Sequence, residues 1–468
     1  MLKWNLRACV VLATLSSTAP FAGASQPPDV VVSDGNANTA MGTDALFSLV
    51  SGVSGGFNNT ASGFSALYSN TLGTGNTATG FHALYKNTSG NNNTAFGIQA
   101  LQLNTVGTDN IAVGANALDF NQTGSNNIAV GVNALQSNTS GSDNIASGVG
   151  ALLNNSTGNY NVAVGSGALY ANTSGTFNTA VGLNALLAST TSSDNAAFGA
   201  SSLQHDTTGT YNTAVGESAL SSNTTADYNT AVGYSALFSN TTGVVNTAAG
   251  YETLYSNETG SYNTAFGEKG LYSNTYGGNN IAVGYHAGLN LTTGSNNVDI
   301  GNVGVAAESG VIRIGTVNAQ SKAFIAGIYG TSVSGNTVVV SSSGQLGVVV
   351  SSERFKTAIV PMGSNTAKLG QLRPVAFHLK TDPKETTQYG LIAEEVAKVY
   401  PELVIRDEKG RIDGVRYDEL TPMLLNELQK QAAEIDSLKR QVAELDELKK
   451  EFHAAIGQMH SRDEFAAR

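Results

Sequence analysis

The sequence predicts a mainly β protein. We expect a repeat β-solenoid, or β-roll, with 17-residue rungs, followed by a small α+β domain that ends in an α-helical coiled coil. First, a pentapeptide ending in glycine recurs at a fixed 17-residue period through the middle of the chain. Second, the 468 residues include 53 glycines yet are 41% hydrophobic, more than a disordered linker would carry. Third, 18 of the 24 Lys and Arg residues lie after residue 350, so a differently built part follows the repeats.

Residues 1–24 have the pattern of a secretory signal peptide. Lys3 and Arg7 precede an apolar run from Ala8 to Leu15, and the small residues Ala-Gly-Ala end at Ala24. We therefore expect cleavage after Ala24, a secreted or cell-surface protein, and no transmembrane segment after that cleavage. The alternative is an uncleaved anchor, for which the apolar run is short. Cys9, the only cysteine, lies within this segment.

Residues 25–301 form the predicted solenoid. The pentapeptide Asn-x-Ala-x-Gly places its glycine at every seventeenth residue from Gly63 to Gly284, and a degraded copy ends at Gly301. An earlier copy ends at Gly42, and the interval from there to Gly63 is longer than the others by a four-residue insertion. A unit this short cannot bury its own alanine and leucine, so neighbouring rungs must stack and share one core.

The rung from Asn229 to Val245 shows the expected local structure. Asn-Thr-Ala-Val is a short strand, and Gly233 ends it where a side chain would obstruct the turn. The segment 234–240 has its apolar residues too close together for a strand, and we expect one helical turn there. Triplets such as Asn138-Thr139-Ser140 match the glycosylation sequon, but their fixed rung positions favour stacked amide ladders.

Several functional classes are disfavoured by the composition. The net charge of −11 supplies no basic surface for nucleic acid. The six histidines are scattered and there is no cysteine cluster, so we expect neither a metal nor a cofactor. The repeats lack a recurring carboxylate pair, which argues against a glycan-cleaving enzyme. The array instead resembles the heads of trimeric bacterial adhesins, whose repeats are usually shorter than the period found here.

After the solenoid, residues 302–350 contain β-rich segments that we expect to form a stem, and the composition changes at Ser351. Five motifs follow in order: SSERFK at 351–356, LRPVAF at 372–377, GLIAEEV at 390–396, YPELV at 400–404 and VRYDEL at 415–420. With these motifs, the chain from Ser351 to residue 452 resembles the chaperone-of-endosialidase domain. That resemblance implies a domain at 351–420 that trimerises, guides folding of the preceding fibre, and then cuts itself off.

By position, the resemblance implies that Ser351 is the nucleophile, Lys356 its base and Val350-Ser351 the cleaved bond. A serine hydroxyl is a weak nucleophile until a neighbour takes its proton. A lysine can take that proton only when it is neutral, a form that burial or a nearby cation such as Arg354 favours. The family usually has an acidic residue after its serine, whereas Ser352 stands here as a second candidate nucleophile. The alternative is a domain that trimerises without cleaving.

Residues 421–455 are predicted to form a coiled-coil helix, followed by a tail at 456–468. Apolar residues fill both core positions of the heptad repeat, and Gln431 forms one polar layer. Heptads alone do not fix the number of strands, so three strands is implied by the resemblance, and a lone amphipathic helix is the alternative. The expected trimerisation residues are Leu424, Leu428, Ile435, Leu438, Val442, Leu445 and Phe452.

These observations predict an exported homotrimeric surface fibre, adhesin-like or structural. Its C-terminal domain would promote trimerisation and folding, and then release itself as a single-turnover serine endopeptidase acting in cis. The predicted partner is the chain itself, and the sequence does not identify a host-surface or glycan ligand. The alternatives are a prophage tail-fibre protein, whose assembly in the cytoplasm conflicts with an export signal, and a non-cleaving trimeric structural or adhesion protein.

Overall fold

The computed structural model describes residues 32–49, 56–317, 319–320, 322–325, 338–341, 343–380, 384–407 and 409–466. The predicted signal peptide at 1–24 lies outside these residues. Contacts within the chain define two compact units, residues 1–332 and residues 333–468.

The first unit is a β-solenoid with one short strand in each rung. The strand β1 pairs antiparallel with β2, and from β2 to β18 each strand pairs in parallel with the next one along the chain. The strands are β1 Val32–Ser33, β2 Thr39–Met41, β3 Thr60–Ser62, β4 Thr77–Thr79, β5 Thr94–Phe96, β6 Ile111–Val113, β7 Ile128–Val130, β8 Ile145–Ser147, β9 Val162–Val164, β10 Thr179–Val181, β11 Ala196–Phe198, β12 Thr213–Val215, β13 Thr230–Val232, β14 Thr247–Ala249, β15 Thr264–Phe266, β16 Ile281–Val283, β17 Val298–Ile300 and β18 Ile312–Ile314.

The register of the sheet follows the sequence period. Thr230 pairs with Thr247, one full period later, and the same step relates neighbouring strands from β3 to β17. The first step joins Thr39 to Thr60, so the four-residue insertion is absorbed outside the sheet. The last step joins Val298 to Ile312, which continues the stack past residue 301 with a shorter rung. The mainly β solenoid with 17-residue rungs is therefore confirmed.

The core of the solenoid is made of small and medium apolar side chains in columns. In the rung of β13, the middle strand residue Ala231 points inward and is fully buried, as are Ala236 and Leu237 of the following turn. The flanking strand residue Val232 points outward and is 41% exposed. Because equivalent residues lie one rung apart, each alanine and leucine packs against its counterparts above and below.

The helical turn expected at 234–240 is wrong. Ser235 and Leu237 have left-handed backbone conformations, with φ of 51° and 53°. The Ser235 N–H donates to the Glu217 carbonyl of the preceding rung, and the Leu237 N–H donates to the Thr253 carbonyl of the following rung, both at 2.9 Å. These donors bond between rungs, whereas in a single helical turn the first four N–H groups have no partner within the turn.

Two buried columns of asparagine form the expected amide ladders. In the first, the backbone N–H and the Nδ2 of Asn144 both donate to Asn127 Oδ1 at 3.1 Å. In the second, Asn138 Nδ2 donates to Asn121 Oδ1 at 2.7 Å and to a glycine carbonyl of its own rung at 2.9 Å. Asn138 is fully buried. Its amide is therefore committed to the ladder rather than presented for glycosylation, as the fixed rung positions predict.

In its described residues, the second unit combines three two-stranded antiparallel sheets, short helices and one long helix. Its buried core brings together Leu369, Val396, Tyr400, Leu403, Val404, Leu420 and Met423. The elements are β19 Val338–Val340, β20 Leu346–Val348, 3-10 helices Glu353–Phe355, Gly363–Thr366 and Leu369–Gln371, β21 Val375–Phe377, β22 Gln388–Gly390, α1 Ala393–Val399, 3-10 helix Pro401–Leu403, β23 Val404–Arg406, β24 Ile412–Val415 and α2 Tyr417–Ala466.

Candidate functional site

A single 3-10 turn brings the predicted nucleophile and base together. The Phe355 N–H donates to the Ser352 carbonyl at 3.0 Å, and the Lys356 N–H donates to the Glu353 carbonyl at 2.9 Å. This turn reverses the chain between the serine and the lysine. As a result, Lys356 Nζ donates a hydrogen bond to Ser351 Oγ at 3.0 Å.

The predicted scissile bond lies between the hairpin β19–β20 and this turn. Val350 is 58% exposed, and Ser351 and Lys356 are both exposed in the single chain. The Arg354 guanidinium lies 4.6 Å from the centre of the Phe355 ring. The bond is thus accessible, and the Lys356 amine faces solvent. A lysine in water is a cation and a hydrogen-bond donor, so it needs a drier environment before it can accept a proton.

The motifs that follow the candidate dyad contact one another across the domain. Arg373 holds Glu395 through two hydrogen bonds of 2.6 and 3.2 Å. The Arg373 guanidinium holds the pKa of the Glu395 carboxyl below its usual range. The Leu391 N–H donates to Tyr417 Oη at 2.8 Å, which ties the GLIAEEV segment to the start of α2. Sequence reasoning found these motifs but not their pairing, since the partners lie far apart along the chain.

A polar cluster around Thr366 fastens α2 to the rest of the domain. Thr366 is 1% exposed, and its hydroxyl donates to Glu427 Oε2 at 3.0 Å. The same oxygen accepts hydrogen bonds from Asn426 Nδ2 at 2.6 Å and from Lys430 Nζ at 2.9 Å. All three partners lie on one face of α2. Sequence analysis missed this cluster, because a lone threonine in a short polar segment carries no recognisable pattern.

The residues predicted to form the trimer seam all lie on α2. Their side chains are 51–64% exposed in the single chain. By contrast, Leu420 and Met423, in the first turns of the helix, are buried in the core of the second unit. The helix therefore has an anchored start and a longer part with an apolar stripe open to solvent. The stripe consists of Leu424, Leu428, Ile435, Leu438, Val442, Leu445 and Phe452.

Other features of the second unit lie apart from the dyad. An open cleft of about 620 Å³ is lined by residues that include Met362, Tyr400 and Met423. Within the described ranges, no group of three His, Cys, Asp or Glu side chains is placed to hold a metal ion. In the same residues, no helix combines the length and apolar character needed to cross a membrane.

Comparison with known proteins identifies the segment that contains the dyad. Residues 351–405 match the family model of the chaperone of endosialidase, and the match begins at Ser351. No curated protein and no solved structure matches the chain. The matched segment includes Lys356, Arg373 and Glu395, while the VRYDEL motif and α2 lie beyond it. This chain therefore combines a 17-residue-rung β-solenoid with a C-terminal segment matching the chaperone of endosialidase family, which implies a self-cleaving, peptidase-like domain.

Proposed function

We propose that this chain is an exported homotrimeric fibre whose C-terminal domain assembles the trimer and then releases itself by cleaving Val350-Ser351. The observation that carries the proposal is the 3.0 Å contact between Lys356 Nζ and Ser351 Oγ, inside the segment that matches the family. A chaperone-of-endosialidase segment after a β-solenoid is the arrangement of a tail-fibre-like protein. The signal-like pattern at 1–24 supports export to the surface.

The proposed cleavage uses only the groups of this turn. Neutral Lys356 removes the proton from Ser351 Oγ, and the oxygen attacks the carbonyl carbon of Val350. The C–N bond between Val350 and Ser351 then breaks, and the departing nitrogen takes the proton from the Lys356 ammonium. This leaves an ester between the Val350 carbonyl and Ser351 Oγ. Water hydrolyses the ester to a carboxylate on Val350 and a free hydroxyl on Ser351.

Trimer formation supplies the condition that the single chain lacks. Lys356 is exposed to water in one copy. A neighbouring copy packed over the turn would remove that water and favour the neutral amine. Cleavage would then follow assembly rather than precede it. The exposed apolar stripe on α2 supports the same order, because burying it requires partner helices.

Release of the domain has a clear physical consequence for the fibre. Three solenoids need to be brought into register, and a C-terminal trimer supplies that nucleus. Once the nucleus is cut away, chains that unfold cannot readily reassemble into the trimer. The fibre then persists because it unfolds slowly, so its stability becomes kinetic. The remaining solenoid would serve adhesion or a structural role at the surface.

The proposal is tested by separating assembly from cleavage. Ile435→Asp places a charge in the α2 stripe, and Ala433→Asp places the same charge on an exposed position of the same helix outside the stripe. We expect the wild type and Ala433→Asp to have the mass of three chains by light scattering and to be cleaved. Ile435→Asp should have the mass of one chain and stay whole. A single-chain wild type, or a cleaved monomeric Ile435→Asp, would contradict the proposal.

A tail-fibre protein of a phage is the second candidate, and the order of the solenoid and the matched segment favours it equally. It would share the trimer and the cleavage but would assemble in the cytoplasm. The mass of the N-terminal product separates the two. Export predicts a product that starts after Ala24, and cytoplasmic assembly predicts one that retains residues 1–24.

A further inference from the structure

One outer surface of the solenoid is uncharged and, from β5 onward, rich in apolar side chains. The first and third residues of each strand from β3 to β17 point outward, and we call these residues the strand face. None of them is charged. Many are large and apolar, and they remain open to solvent in the single chain: Phe96 is 60% exposed, Phe198 42%, Ile281 43%, and both Val130 and Val232 41%.

A different outer surface of the same solenoid is polar. The residue ten positions after each strand's third residue, such as Thr242 in the rung of Val232, is exposed in rung after rung. From residue 123 to residue 259 this column contains only threonine and serine: Thr123, Ser140, Thr157, Ser174, Thr191, Thr208, Thr225, Thr242 and Thr259. Exposed apolar side chains also occur in the column that follows the strand-ending glycines, but that column includes Glu217 and Glu268, whereas the strand face carries no charge.

The size of the strand face is that of a stable protein interface. Three residues of strand span about 10 Å, and fifteen strands about 4.8 Å apart span about 70 Å, which gives about 700 Å². A standard interface buries about 800 Å² per partner. Apolar side chains occupy 19 of the 30 outward positions of this face, and monomeric proteins rarely leave a contiguous apolar patch larger than a few hundred Å² open to water. An exposed face of this size therefore calls for a partner.

The period of the face identifies the partner. Its side chains repeat at the rung spacing along the whole stack, so a close-packed partner must present side chains at the same spacing. A second copy of this chain does so by construction. Because the strand face carries no charge, bringing two copies together buries no unpaired ion. Interfaces between identical chains are also more apolar than ordinary protein surface, and phenylalanine is enriched at their buried centre.

We propose that the strand face is the surface through which the three solenoids pack against one another. This rests on the homotrimer proposed above and adds the side of the solenoid that faces the partners. The exposed threonine and serine column lies on the outside of the assembled fibre. The contacts run the length of the repeats, so they hold the fibre together after the C-terminal domain has left.

Cysteine cross-linking tests this directly. In the full chain with Cys9→Ser, which has no other cysteine, single substitutions Val130→Cys and Val232→Cys probe the strand face, and Thr242→Cys probes the polar column. After mild oxidation, we expect disulfide-linked dimers from the two strand-face variants and single chains from Thr242→Cys. As a second measurement, Val232→Glu should lower the melting temperature of the trimer by several degrees, and Thr242→Glu should leave it unchanged.

The outcomes separate this proposal from the proposed function. A trimer by light scattering with cross-links at Thr242→Cys, none at the strand face, and equal melting temperatures for the two glutamate variants would overturn the interface and leave the trimer standing. A single-chain mass for the Cys9→Ser protein would overturn both.

Discussion

Lys356 Nζ lies 3.0 Å from Ser351 Oγ, and the one 3-10 turn of Glu353–Phe355 separates the two residues in the chain. This contact makes Ser351, rather than its neighbour Ser352, the hydroxyl that the amine reaches in the structure. Ser352 belongs to the turn itself, where its backbone carbonyl accepts a hydrogen bond from the Phe355 N–H. The two serines therefore have different surroundings even though they are adjacent.

The first prediction concerns that rival serine. We expect Ser352→Ala to cleave within a few-fold of the wild-type rate, because the Ser351 hydroxyl and its contact with Lys356 are retained. The rate is measured as the loss of the full-length band on a denaturing gel. If Ser352→Ala stayed whole while Ser351→Ala was cleaved, the nucleophile would be Ser352.

The second prediction concerns the glycine that ends each strand. Gly233 has φ of +133°, and a Cβ there would clash with the Gly250 carbonyl oxygen of the next rung. We expect Gly233→Ala to lower the unfolding free energy by about 1–3 kcal/mol or more. The matched control is Gly270→Ala, at the position that holds Ala236 in another rung, where a Cβ has its nearest neighbour at 3.4 Å.

Gly270→Ala should raise the unfolding free energy by about 0.4–1 kcal/mol, since it lowers the entropy of the unfolded chain without a clash. Both variants are compared by their guanidinium unfolding midpoints. Equal midpoints for the two variants would show that the close stacking of the strand-ending glycines does not limit stability.

The third prediction concerns a buried acid in the second amide ladder. Asp206 is fully buried, and its Oδ1 accepts a hydrogen bond from Asn223 Nδ2 at 2.7 Å. Within the described residues, its Oδ2 has no hydrogen-bond partner. Burial raises the pKa of the Asp206 carboxyl to about 7. Burial likewise raises the pKa of Asp119 and of Asp299 to about 6.

Between the unfolded pKa of about 4 and the folded pKa of about 7, the folded state binds more protons than the unfolded state. Stability therefore falls as the pH rises through this window, by about 4 kcal/mol at most for Asp206. Asp206→Asn should restore the amide ladder and raise the stability of the folded protein at pH 8. The fall in stability between pH 5 and pH 8 should be smaller than in the wild type. Unfolding midpoints at the two pH values measure this, and a variant with an unchanged pH dependence would exclude Asp206 as its source.

The fourth prediction concerns the attachment of α2. Thr366→Val keeps the shape of the buried side chain but removes the oxygen that Asn426, Glu427 and Lys430 share. Asn426 keeps its hydrogen bond to the Gly363 carbonyl, and Glu427 and Lys430 keep their ion pair. The loss of the three bonds to the buried hydroxyl should still destabilise the second unit by about 1–3 kcal/mol. The control is Thr421→Val at an exposed position of α2. Denaturant unfolding in a Ser351→Ala background compares them, and equal midpoints would show that the cluster adds no stability.

Much of the solenoid could be predicted from the sequence, because the period itself carries the fold. The spacing of Gly63 to Gly284 determined the rung length, the register and the positions of the amide ladders. The turn at 234–240 could not be predicted in the same way. Local spacing of Ala236 and Leu237 favours a helix, but bonds to the neighbouring rungs satisfy the N–H groups better. Those bonds exist only once the rungs have stacked.

The candidate site could also be predicted only in part. Ser351 and Lys356 are close in sequence, and a motif identified both. The contacts that support the domain join distant residues, such as Arg373 with Glu395 and Thr366 with Lys430, and only the folded chain shows them. The apolar strand face was missed because each strand contributes only two outward residues. Its continuity is a property of the stack.

The most direct test of self-cleavage at Val350-Ser351 is intact mass spectrometry of the purified wild-type protein beside Ser351→Ala and Lys356→Ala. We expect the wild type to yield a C-terminal fragment with the mass of residues 351–468 and an N-terminal fragment that ends at Val350, while both variants stay whole. A wild type that remains whole as a folded trimer, or a Lys356→Ala variant that is still cut at this bond, would contradict the account.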